Sequence, residues 1–223
     1  QNDVLYHREY PSNLFYWARA WTKEGSTIGL HPHQGVEIMS IVLKNKISHF
    51  DTKLKEWIEL DEGAVQIIRS GNGISHSERL HERSEMFQIW FDPNLQESLK
   101  QEASYNDFSL DQLPMVEEKG VKTTVYKGEG SPLEMLAADV EIVKKEIHAG
   151  SHLLSLDKEK THSIYLYSGS LQAEGENIKE HDFMIVTKQD ALQLKVNEDC
   201  MLFMISSPSQ LDYLTYAEIQ NQK

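Results

Sequence analysis

The residues best equipped for chemistry lie in two short stretches, HPHQGVE (His31–Glu37) and ISHSE (Ile74–Glu78). In an extended strand alternate side chains share a face. His31 and His33 therefore project together, His76 and Glu78 project together, and Glu37 joins the first pair if its strand runs on without a bulge. Pro32 lacks a backbone donor and suits a strand start or an edge. An antiparallel barrel could set the two stretches opposite each other, gathering three imidazoles and one or two carboxylates in its interior. Such a set, without thiolate, suits Fe(II), Mn, Co, Ni, Cu(II) or Zn. An octahedral ion would keep positions open for water, substrate or dioxygen. A chance surface His-x-His pair is the competing explanation. Glu37 and the Gly71/Gly73 turn ahead of His76 weigh against it, because four inward ionisable groups are costly to desolvate without a common partner.

Elements able to position these groups are short strands. Runs rich in Ile, Val, Leu, Phe and Tyr recur at 36–43, 64–69, 86–91, 121–126, 163–167, 183–187 and 201–206, separated by Gly, Asn, Asp and charged clusters. That rhythm predicts an all-β barrel or sandwich. Two stretches differ. Residues 92–113 are polar and predict a short helix followed by a connector. Residues 208–222 predict a terminal helix with Ser209 as N-cap. The connector divides the chain into halves, 1–112 and 113–223. A faint internal echo links SIVLKNKISHF and DEGAVQII of the first half with IYLYSGSLQAE and KEHDFMIV of the second, which predicts duplication of one barrel.

With 223 residues the chain can bury a sizeable core in one large or two small domains. A net charge of −13 and the lack of any Lys/Arg cluster argue against direct nucleic-acid binding. No apolar run approaches the ~18–20 residues of a membrane helix. The lone Cys200 excludes an intrachain disulfide and fits a reducing, cytoplasmic setting. No secretory leader is legible, although the sequence starts at Gln1 and leaves upstream residues open.

These stretches resemble the pirin family of the cupin superfamily. HPHQGVE is similar to that family's HPHRGFE, differing at Gln34 and Val36. His49-Phe50-Asp51-Thr52 stands where the family has His-x-Asp-Ser, and Gly63-Ala64-Val65-Gln66 where it has Gly-Asp-Val-Gln. Gly71 to Glu78 is similar to its Gly-x-Gly-Ile-x-His-Ser-Glu, and FQIWFDP to its Phe-Gln-Leu-Trp strand. The specific part covers about residues 29–93. Lys53-Leu54-Lys55-Glu56 departs from the family's Asn-x-Gly turn, and Asn45 replaces a turn glycine.

The resemblance implies a bicupin: two jelly-roll β-barrels face to face, a short interdomain helical segment and a C-terminal helix. It implies one divalent transition metal in the N-terminal barrel, held by His31, His33, His76 and Glu78. Fe(II) is the leading choice, with Mn, Co, Ni, Cu or Zn open. Glu37 is left as a group behind the ligands or a general base, a role Glu78 could share. The implied activity is a quercetin 2,3-dioxygenase type of oxygenase, with a flavonol-like enediol and dioxygen as substrates. The alternative is a metal- or redox-responsive regulator that binds a protein partner; a sugar isomerase or epimerase ranks third.

Other residues read as structural. His148, His152, His162 and His181 reproduce neither motif, so the second barrel is expected to be metal-free. His49 has the wrong parity and is expected at a surface or turn, and His81 at the periphery. Glu198 and Asp199 should raise the Cys200 thiol pKa and leave it inert. Trp17, Trp21, Trp57 and Trp90 are expected to pack the core.

Overall fold

A computed structural model describes residues 2–6 and 12–221. The chain divides into two compact units. Unit 1 comprises residues 1–112, 133–138 and 211–223, and unit 2 comprises residues 113–132 and 139–210. The C-terminal stretch expected on the second half thus packs with the first.

Unit 1 contains β1 (Asn2–Tyr6), β2 (Leu14–Trp21), β3 (Ser26–His33), β4 (Glu37–Lys44), β5 (Lys46–Asp51), β6 (Trp57–Asp61), β7 (Val65–Arg69), β8 (Ile74–Leu80), β9 (Glu85–Phe91), α1 (Leu95–Ser98) and β10 (Ser104–Phe108). These form two antiparallel sheets, ordered β1-β2-β9-β4-β7-β10 and β3-β8-β5-β6. β4 (EIMSIVLK) lies mid-sheet and is buried on both faces, which explains its unbroken apolar run. Asn45, at φ 57, turns β4 into β5 without the family's glycine. Val42, Ile47, Leu60, Ala64, Leu80 and Met86 close one end of the barrel with an apolar plug.

Unit 2 contains β11 (Met115–Glu118), β12 (Val121–Lys127), β13 (Glu141–Ile147), β14 (Gly150–Ser155), β15 (Lys160–Ala173), β16 (Glu176–Lys179), β17 (Phe183–Thr187) and β18 (Ala191–Pro208). Its pairings repeat those of unit 1. β15 takes the place of β4 plus β5, pairing with β17 through its first part and β16 through its last. β18 takes the place of β8 plus β9, pairing with β14 early and β13 late. The echo in the sequence is therefore an echo of jelly-roll topology. Residues 164–174 run as a bulged corner in one continuous strand, with Gly169 at φ 85.

The polar stretch after β9 is more than a connector. Asn94 caps α1 by accepting the Gln96 N–H at 3.0 Å, and β10 then joins the edge of the larger sheet beside β7. The terminal helix is shorter than expected, α2 (Tyr216–Asn221): β18 continues to Pro208 and an irregular stretch over 209–215 precedes the helix. Ser209 is not its cap. Thr215 and Glu218 form a reciprocal capping box instead, with the Thr215 N–H donating to the Glu218 carboxylate at 2.7 Å and the Glu218 N–H to the Thr215 hydroxyl at 3.3 Å. Among the described residues no helix is long and apolar enough to cross a membrane.

Candidate metal centre

β3 and β8 pair with His31 opposite His76 and His33 opposite Ile74. The strand pleat aims all three rings to one side. A bulge between Ile28 and His31 re-aims the end of β3, and the Gly29 carbonyl lies 2.7 Å from His31 Nδ1, which leaves Nε2 for the centre. Ring centroids are 4.4 Å apart for His31–His76, 4.9 Å for His33–His76 and 4.8 Å for His31–His33. One ligating nitrogen from each lies within 4.8 Å of the others. His76 is 0% exposed, while His31 and His33 are half-buried and border the solvent side.

The ring nitrogens test whether a metal fits. Both nitrogens of His76 and Nε2 of His33 are buried without a hydrogen-bond partner. Native proteins rarely leave such groups unsatisfied, and a shared cation would satisfy them together. Electrostatics agree. Burial, then the neighbouring His31, His33 and His49 rings, push the His76 pKa down to about 2. Burial and His31 push His33 to about 4. Both rings are neutral near pH 7, the form that ligates.

The turns carrying these strands are clamped together. The Gly35 N–H donates to the Gly71 carbonyl at 2.9 Å, and the Asn72 N–H to the Gln101 carbonyl at 2.8 Å. Ser98 of α1 donates its hydroxyl to the Gly35 carbonyl at 2.8 Å. Gly71 sits at φ 47, and a Cβ there would lie 2.5 Å from the Gln101 oxygen, so no other residue fits without displacement.

A polar layer lies behind the histidines. Glu78, 1% exposed, accepts the Ser40 hydroxyl at 2.8 Å and a short hydrogen bond from the Gln88 amide. Burial raises its pKa, opposed by the Ser40 hydrogen bond. Its oxygens are thus committed behind the imidazole group, and it is not drawn into that group. Gln88, Ser40, Gln66 and Asp107 form a cross-strand row on β9, β4, β7 and β10, with Gln66 donating to Asp107 at 2.7 Å.

His49 departs from the expectation of a surface or turn position. It is 1% exposed, lies opposite Glu78 across β5 and β8, and places its ring 5.7 Å from that of His76. Parity compares residues only within one strand, whereas register between strands brings His49 inward. Its Nε2 is 3.0 Å from Asp51. Asp51 also accepts the Lys53 and Leu54 N–H groups at 2.7 Å each. That explains how the Lys53–Glu56 turn holds without the family's glycine, with Lys55 taking φ 63.

Glu37 lies elsewhere than its parity suggests. β3 ends at His33, the chain crosses at Gly35 (φ 78) into the other sheet, and Glu37 opens β4. Its carboxylate accepts the Leu136 and Ala137 N–H groups, each at 2.7 Å. It therefore ties the 133–138 segment to the barrel.

The tryptophans divide by environment. Trp17 is core, and Trp57 is exposed under the Arg79 guanidinium at 4.3 Å. Trp21 takes Arg19 at 4.6 Å. Trp90 meets the His33 ring edge-on at 4.8 Å. His81 pairs with the Ser48 hydroxyl at 2.7 Å. In unit 2, His148 pairs with Asp199, His162 with Ser206, and His181 with Tyr165. The strand positions corresponding to His31, His76 and Glu78 hold Leu154, Leu192 and Leu194, which pack in an apolar core. Cys200 is buried there, its thiol pushed up to about 11 by burial and Asp199. Among the described residues His31, His33 and His76 form the one grouping suited to a metal. The sequence signal that could have found the polar layer is the Ser and Gln inside otherwise apolar strands, at Ser40, Gln66 and Gln88.

Fold and site together define an all-β protein of two jelly-roll units, the cupin class, with a three-imidazole group of the kind that holds a divalent metal. Residues 4–91 match the Pirin family model. A pirin-like protein of Caulobacter vibrioides is 23% identical over 187 residues, covering 79% of this chain and 67% of its own. The quercetin 2,3-dioxygenase of Escherichia coli K12 is 36% identical over 72 residues, 31% of each chain. The bacterial pirin YhhW from Escherichia coli, solved with nickel(II), superposes with a TM-score of 0.73 at 20% identity, covering 93% of this chain and 92% of that one.

Proposed function

We propose that this chain is a metal-dependent oxygenase that uses dioxygen to open a flavonol-like enediol of the quercetin type. The observation that carries the reading is the convergence of His31, His33 and His76, with buried, unpartnered nitrogens beside a polar layer. The likeness to the Escherichia coli quercetin 2,3-dioxygenase supports the substrate class. We assign the metal as Fe(II), with Mn, Co, Ni, Cu and Zn as the panel to compare. The lone, buried Cys200 is the basis for placing the protein in the cytoplasm.

When bound, the ion supplies Lewis acidity toward the adjacent oxygens of the substrate. The three neutral imidazoles hold it. The resemblance makes Glu78 a fourth ligand; its present hydrogen bonds suit it at least as well to a proton-accepting role. Burial raises its pKa toward that of the group it must deprotonate, and Ser40 and Gln88 keep the carboxylate aimed. Glu37 positions the 133–138 segment, since both its oxygens already accept backbone N–H groups. His49 and Asp51 fix the floor beneath His76.

The test is oxygen consumption with quercetin by protein reconstituted with each metal of the panel, against an anaerobic control. Uptake with at least one metal, lost on chelation, is expected. Absence of uptake with all of them sinks the reading.

A further inference from the structure

We propose that His49 is a positioning residue for the metal centre: its Nδ1 accepts the N–H of His76 once the other His76 nitrogen ligates the ion, and Asp51 fixes the His49 tautomer that makes this possible. The inference rests on the metal centre described above and not on the substrate assigned to it. A ligating imidazole is normally oriented by the hydrogen bond of its second nitrogen, and that bond also raises its basicity as a ligand.

The accounting begins at Asp51, which is fully buried. Its Oδ1 accepts the Lys53 and Leu54 N–H groups at 2.7 Å each, and its Oδ2 lies 3.0 Å from His49 Nε2. A carboxylate only accepts, so Nε2 carries the hydrogen and Nδ1 of the neutral ring keeps a lone pair. That Nδ1 is buried with no donor to fill it. His76 shows the complementary deficit, since both of its nitrogens are buried without a partner. An ion takes only one of them, and the other then carries a hydrogen that needs an acceptor. Register sets His49 opposite Glu78 and Asp51 opposite His76. The His49 and His76 rings lie 5.7 Å apart and are inclined at 48°. Their nitrogens are not bonded to each other as the rings stand, and turning the His76 ring closes the contact. Glu78 is the other acceptor at hand, but it already holds Ser40 and Gln88. The unpartnered Oε1 of Gln66 is itself an acceptor and cannot satisfy Nδ1 directly. The competing account is a water that donates to both Gln66 Oε1 and His49 Nδ1, which would leave the metal untouched by His49.

The test loads the full-length chain with Cu(II). Pulsed EPR reports the non-ligating nitrogen of each bound imidazole and responds to the hydrogen bond that nitrogen makes. Cu(II) affinity is measured alongside by chelator competition. His49→Leu removes the acceptor; it is expected to weaken binding roughly 10- to 100-fold and to shift the signal of one remote nitrogen. His49→Asn can place its amide oxygen where Nδ1 lies, and should keep both properties near wild type. Asp51→Asn lets residue 51 donate to Nε2, which turns Nδ1 into a donor, and should reproduce the His49→Leu shift. This second variant decides the matter if His49→Leu fails to fold. Wild-type affinity with an unshifted remote-nitrogen signal in His49→Leu, or in Asp51→Asn, overturns the assignment in favour of the water. Failure of the wild type to bind Cu(II) overturns the metal centre and the role of His49 with it. The expected shifts, found in a protein that takes up no oxygen with quercetin, would support the role of His49 while sinking the oxygenase reading.

Discussion

At the scale of single residues, the histidines are legible because a period of two is the strongest signal a strand can carry. His31 and His33 on β3, and His76 on β8, need only an antiparallel partner. Their environment also sets a pH dependence for the metal-free protein. The pKa values of His33 and His76 lie at about 4 and about 2 when folded, below the ordinary value of 6.5. As pH falls below about 6.5, the unfolded chain takes up protons that the folded rings refuse. Their contribution to stability is complete above that pH and is lost progressively through about 4, with His76 extending the loss further down. Glu78, its pKa raised by burial, works in the opposite direction. The histidine effect is therefore best isolated by comparison. The urea midpoint of metal-free wild type is expected to fall more between pH 7 and pH 5 than that of His76→Leu, and equal falls would show that the His76 ring is not shielded.

At the scale of elements, the differences between expectation and structure share one cause. Parity does not carry across a strand break. HPHQGVEIMSIVL looks continuous, which groups Glu37 with His31, yet Gly35 turns the chain from one sheet to the other. The carboxylate consequently reaches the Leu136 and Ala137 amides. Glu37→Ala leaves the buried Ala137 N–H and the part-buried Leu136 N–H without their acceptor, and should cost roughly 3 kcal/mol. The measurement is a lowered urea midpoint with an unchanged slope, alongside unchanged metal content. Unaltered stability with lost oxygen uptake would return Glu37 to the role of base. His49 shows the converse: an apparently wrong parity on β5 is reversed by register with β8. The polar row of Gln88, Ser40, Gln66 and Asp107 shows in the sequence only as isolated Ser and Gln inside apolar strands; that they line up as one row depends on the register of four strands.

At the scale of the whole molecule, one barrel topology is used twice with different interiors. Unit 1 fills its middle with imidazole, carboxylate and amide groups, and unit 2 fills the corresponding positions with Leu154, Leu192 and Leu194. Elemental analysis should therefore find one metal per chain, and essentially none in the His31→Ala, His76→Ala double variant; two per chain, or equal content in both proteins, would contradict the assignment. Because the group is assembled only in the folded state, free metal at 100 times its Kd should stabilise the chain by about 2.7 kcal/mol, and a chelator should remove that increment. The amino-acid sequence by itself determined the all-β class, the repeated half and the three histidines, since these follow from local alternation, turn residues and spacing. Tertiary structure alone decided which carboxylates face the histidines, that His49 lies inside, and that the C-terminal helix joins the first unit. Those outcomes depend on register and on which sheet a strand enters, and no local pattern of residues encodes either one.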